Sequence, residues 1–205
     1  MLERQPHRVR RPYSRSRPVP QRALDDLRFI RETMERSSSF TATPGWGQVA
    51  MGLTALAASA IAARQATADA WLAVWLVEAC LAIAIAVPTM YVKARRAGLP
   101  LTSGPGRKVA LTFLPSVLAA MILTAALYRL GITRLLPGVW AVCYGAGILS
   151  GGAFSIPLLP AMGLCFLTSG AVALFAPALG NLLMAISFGG FHILFGLWVA
   201  KYHGG

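Results

Sequence analysis

Between Arg134 and Lys201 the chain runs for 66 residues without an aspartate, glutamate, lysine or arginine. A soluble domain cannot cover such a run with a charged surface, so the segment must face lipid or other apolar helices. Four prolines, Pro137, Pro157, Pro160 and Pro177, cut it into pieces of about 20 residues, which is the length a helix needs to cross a hydrocarbon core. The composition of the rest agrees. Of all residues, 56% are hydrophobic and 13% are charged, about half the charge usual in a soluble domain. Spans are predicted at about 46–63, 71–92, 109–128, 138–156, 159–176 and 179–200. The expected fold class is therefore all-α, a polytopic membrane bundle of six transmembrane helices occupying 46–200.

Charge placement predicts the orientation. Ten of the 19 basic residues fall within the first 36 positions. The segment 93–108, KARRAGLPLTSGPGRK, carries five more and no acid. Arg/Lys-rich segments stay on the cytoplasmic side, and six spans bring the tail 201–205 back to it. The first 21 residues hold Arg4, Arg8, Arg10, Arg11, Arg15 and Arg17 among four prolines, a composition that buries little and is expected to be disordered. These arginines read as a topogenic cluster or as an arm touching anionic headgroups. Nucleic-acid binding is not expected, because Tyr13 alone makes no stacking platform and no recognition fold accompanies the arginines. The opening lacks the apolar core of a secretory signal, and Arg10-Arg11 precedes a proline instead of an apolar run.

Residues 22–36, within a cytoplasmic segment 22–45, read as an amphipathic helix. Leu24, Leu27, Ile30 and Met34 form one stripe, and Asp25 and Asp26 suit the first turn. Arg28–Glu32 and Glu32–Arg36 are spaced for ion pairs. This helix can lie on the membrane, pack on the bundle or hold a protein partner through residues 22–44.

The polar residues inside the spans are the candidate site. Glu78 is the one carboxylate in an apolar run. Such a group costs a few kcal/mol in hydrocarbon and faces a partner, water or a pathway. Counted from Trp71, it lies roughly 10 Å from the outer interface. His192 is the one histidine within the spans, roughly 12 Å from the cytoplasmic face, and pairs with Glu78 only if tilt allows. One histidine makes no metal site, and no cofactor is expected. Asn181 and Tyr144 read as interhelical glue. Glu78 is one half of a structural hydrogen bond, an ion or proton site, or a group at a solvated edge. Ala185/Gly189 and Gly147/Gly151 are small-xxx-small pairs that let spans four and six approach each other or a second copy, making a homo-oligomer. Cys80, Cys143 and Cys165 lack ligand spacing and read as buried apolar residues. Pro44, Gly45, Val49, Gly52 and Leu56 match Pro137, Gly138, Val142, Gly145 and Leu149 at constant offset. The match fades in later spans, and a chain rich in Ala, Gly and Leu accounts for it.

Ser150 in ILSGG and His192 resemble rhomboid intramembrane serine proteases in span count and in the helices used. Against a hydrolase, Ile148 stands where the family's first glycine belongs, and the second span has no histidine or asparagine for an oxyanion hole. Ser150 would also lie roughly 20 Å below the outer face. Three further stretches, LRFIRETMERSSSFTATPGWGQVAMG at 27–52, FGGFHILFG at 188–196 and YHGG at 202–205, resemble a group of small uncharacterised bacterial membrane proteins. That resemblance implies a bacterial inner-membrane location and marks His192 and 27–47 as shared features. It implies no activity. The expectation is a non-enzymatic accessory or regulatory membrane subunit, with a Glu78-dependent proton- or ion-coupled transporter as the alternative.

Overall fold

The computed structural model describes residues 24–30, 43–96, 104–153, 155–156 and 158–203. The six arginines of the 1–21 arm, the 31–42 segment and the middle of the 93–108 loop lie outside the described residues. So do Glu32 and Met34. Residues 24–30 are helical and exposed at every position, and the ion pair there joins Arg28 to Asp25 at 3.9 Å. This helix belongs to a unit separate from the rest of the chain.

The second unit is all-α among the described residues, with six helices long and apolar enough to cross a membrane. They are α1 (Gly45–Ala62), α2 (Ala68–Arg96), α3 (Gly104–Arg129), α4 (Leu136–Gly152), α5 (Leu158–Phe175) and α6 (Pro177–His203). Their outer faces carry large apolar side chains such as Leu53, Val77, Ile122 and Leu164, all exposed. Phe175 is 92% exposed. Soluble monomers do not display an apolar surface of this extent, whereas lipid covers it.

Several boundaries differ from the sequence expectation for identifiable reasons. α2 starts at Ala68 because Thr67 caps it. The Ala70 amide donates to Thr67 Oγ1 at 3.2 Å, and the Trp71 amide donates to the Thr67 carbonyl at 3.1 Å. α3 starts at Gly104, with Pro105 in the first turn, where its missing N–H is not needed. Both α2 and α3 remain helical through Pro88 and Pro115. α3 ends where Gly131 turns left-handed (φ 72°) and Ile132 donates to the Leu127 carbonyl, a Schellman closure. α4 ends at Gly152 instead of 156, and Gly152 packs there against Leu159 and Pro160. Pro160 lies inside α5.

α1 packs on α6 and on α2, while α4 packs on α5 and on α3. The closest approaches are made by glycine. A Cβ on Gly52 would lie 2.7 Å from the Gly189 carbonyl oxygen, and one on Gly145 would lie 2.8 Å from the Gly163 carbonyl oxygen and the Leu167 amide. The small-xxx-small pairs thus serve other neighbours than expected. Gly189 meets Leu56 of α1, and Gly147 and Gly151 meet Phe113 and Val109 of α3. Spacing reveals a flat face, not which helix lies on it. The glycines of the 44–56 match face α6, whereas those of 137–149 face α5. An inverted duplication would put the latter on α3, so the match marks no internal duplication.

Aromatic rings fill the interior. Trp71 stacks on Trp140 at 5.7 Å, Trp75 meets Phe188 at 6.2 Å, and Tyr144 meets Phe166 at 4.9 Å. The Trp140 indole donates to Thr124 Oγ1 at 2.7 Å, joining α4 to α3. All three cysteines are free. Cys143 and Cys165 are half-buried, but Cys80 is exposed on the apolar surface, contrary to the expected burial. The start of α1, the end of α2, the start of α3 and the end of α6 meet at one end, through Gly45 on Ala200 and Ala94 on Val109. That end gathers Lys93, Arg95, Arg96, Arg107, Lys108 and Lys201, with no acid among the described residues. The opposite end holds Arg64, Asp69, Arg129 and Arg134.

Gly145→Ala should lower unfolding stability in detergent by roughly 1–3 kcal/mol, because its new carbon meets fixed backbone. Gly151→Ala, whose nearest neighbour would be Val109 Cγ1 at 3.5 Å, should cost nothing measurable. Equal losses in the two variants would contradict the glycine-set packing.

Candidate functional site

The polar residues singled out in the spans are distributed over separate helix interfaces. Glu78 sits on the buried face of α2, and Thr54 Oγ1 of α1 donates to its Oε1 at 2.8 Å. Thr54 Oγ1 also lies 2.9 Å from the Met51 carbonyl oxygen. Glu78 lies ten residues, about 15 Å, along α2 from Ala68. His192 lies eleven residues before the end of α6 at His203, about 16 Å along the axis. The two residues do not pair. Trp75 and Phe188 lie between their interfaces.

His192 Nε2 instead meets the Tyr144 hydroxyl at 2.9 Å, joining α6 to α4. The phenol donates if the ring hydrogen is on Nδ1, and Nε2 donates in the other tautomer. The ring is 4% exposed and lies among Tyr144, Phe166 and Phe188. Nδ1 completes no hydrogen bond among the described residues.

Asn181 has the fullest set of partners. Its Nδ2 donates to the Ser59 carbonyl at 3.2 Å and to Ser59 Oγ at 3.3 Å, while its Oδ1 accepts from the Trp71 indole at 3.3 Å. Ser59 Oγ returns a bond to the Asn181 carbonyl. One side chain thus ties the start of α6 to the end of α1 and the start of α2.

Sequence reasoning missed the acceptors and donors opposite these residues, namely Thr54 and Ser59. It also missed the buried pair Ser169–Ser187, 2.6 Å apart between α5 and α6. Serine and threonine are common in apolar helices, and nothing local marks which ones face inward. A π-helical stretch, Ala185–Phe191, lies just before His192. It was equally unforeseen, although the Gly189-Gly190 pair inside it is a local weak point. Such stretches often accompany functional positions. Ser150 is exposed, and the side chain bonded to His192 is Tyr144. The structure therefore does not bring the two together. No group of three or more metal-ligating side chains occurs among the described residues.

Asn181→Ala strands Ser59 and the Trp71 indole at once and should cost about 1–3 kcal/mol in thermal unfolding. Glu78→Gln should stay within about 0.5 kcal/mol, since a carboxamide offers Thr54 both an acceptor and a donor. A neutral Asn181→Ala would remove this residue as a clamp. Compared with protein-family models, with curated proteins and with solved structures, the chain gives no significant match, so its own residues and geometry carry the functional conclusion.

Proposed function

We propose that this protein is a non-enzymatic accessory or regulatory subunit of a bacterial cytoplasmic membrane, with both termini in the cytoplasm, acting through a protein partner held by residues 22–44. The observation that supports this most is the contrast between the polar side chains of the spans and the N-terminal helix. Within the spans, Glu78, His192, Tyr144 and Asn181 each bond across a helix interface. Outside them, Leu24, Leu27 and Ile30 stand exposed at helical spacing. The gathering of basic residues at one end of the bundle supports the orientation.

A second reading is favoured by one observation. Glu78 is a carboxylate inside an apolar span with a single threonine hydroxyl on it, which suits a proton or cation site. In that reading the protein is a small coupled transporter.

One set of measurements separates the two. Full-length protein and a form lacking residues 1–44 are crosslinked in native membranes and purified, and Glu78→Gln is reconstituted in vesicles under a pH gradient. The accessory reading expects a specific partner that is lost on truncation and retained in Glu78→Gln, without gradient-driven flux. Flux that Glu78→Gln abolishes, with no partner captured, would replace it by the transporter.

A further inference from the structure

At the basic end of the bundle, a groove of about 250 Å³ lies between the start of α1 and the end of α2. Trp46, Gly47, Thr89, Val92, Lys93 and Arg96 line it. We propose that this groove binds the phosphate headgroup of an anionic phospholipid, with Arg96 and Lys93 as its cationic partners.

The groove exists because of two local features. Gly47 has no side chain, and any Cβ there would run into Thr89, so α1 and α2 meet closely at the floor of the groove. Lys93 Nζ donates to the Thr43 carbonyl at 2.8 Å, which holds the ammonium at the mouth instead of letting it extend into water. Arg96, one turn-end further along α2, is exposed and supplies a planar fork suited to phosphate oxygens. The site is thus cationic, which selects an anion.

The remaining wall selects a lipid source for that anion. Val92 is apolar, and Trp46 is 62% exposed at the level where the spans give way to charged residues, the position where indoles anchor at the membrane–water boundary. The volume falls below the range of about 300–1,000 Å³ typical of pockets that enclose a whole small molecule. It suits a headgroup whose acyl chains lie outside, along the exposed apolar flank of α2. A soluble phosphate would use the charges and leave the apolar wall without a partner.

The test uses full-length protein, delipidated in neutral detergent and offered phosphatidylglycerol or phosphatidylcholine of equal acyl composition, with retention read by native mass spectrometry. Phosphatidylglycerol should be retained preferentially. Arg96→Gln, an exposed change that leaves the fold intact, should weaken its retention about fivefold, and Lys93→Gln added to it should weaken it further. Lys201→Gln removes a charge from the same end but outside the groove, and should leave retention unchanged. Inorganic phosphate should not displace the lipid. Equal retention of both lipids, equal weakening by Lys201→Gln and Arg96→Gln, or displacement by inorganic phosphate would each overturn the proposal. The second of these would indicate only a diffuse surface potential, and the third a free-phosphate site.

Discussion

In hydrocarbon no water is present to complete a hydrogen bond, so every polar group carried into the membrane must find its partner within the protein. The bundle meets much of this requirement by placing polar residues opposite one another across helix interfaces, while Gln48 Oε1, Trp75 Nε1 and His192 Nδ1 are buried without a hydrogen bond among the described residues. Glu78 meets Thr54 between α2 and α1, and Asn181 meets Ser59 and Trp71 where α6, α1 and α2 converge. Tyr144 meets His192 between α4 and α6, and Ser169 meets Ser187 between α5 and α6. Three of these four groups of contacts involve α6. Its glycines let α1 approach to backbone contact, and its π-helical stretch turns Phe188 into the aromatic core just ahead of His192.

Hydrophobic association between helices adds little in lipid, where the tails are as apolar as leucine. Cohesion must come from close packing and from these few bonds. The two tight pairs, α1 with α6 and α4 with α5, are glycine-lined, whereas α3 has no fully buried residue in its apolar window; it packs on α4, with the bond from Trp140 to Thr124, and touches α2 at its two ends, Val109 on Ala94 and Tyr128 on Asp69. α2 is likewise peripheral apart from Trp75, Glu78 and Ala94. Glu78 is therefore more than an oddity in an apolar run, since it supplies the central hydrogen bond between a loosely buried helix and the core.

The six spans and the turn at Pro177 were legible in the sequence, because chain length, hydropathy and proline placement are properties of a helix taken alone. Helix pairing was not legible. A helix that is apolar all round gives no indication of its rotation about its own axis, so neither the partner of Glu78 nor the neighbour of Gly147 could be read from spacing. The start of α2 was not legible for a related reason, since the threonine cap at Thr67 lies in a polar stretch that reads equally well as loop. The π-helical stretch has no signal beyond Gly189-Gly190. It is set by tertiary fit against α1 and α5.

The central claim is that the intramembrane polar residues hold helices together, and a double-mutant cycle on Tyr144→Phe and His192→Phe tests it most directly. Unfolding free energies of the wild type, both single variants and the double variant are compared in the same detergent. The account predicts a coupling energy of at least about 0.5 kcal/mol, within the range found for hydrogen bonds between membrane helices. Additive losses, with no coupling, would mean that the pair does not join α4 to α6, and would contradict the account.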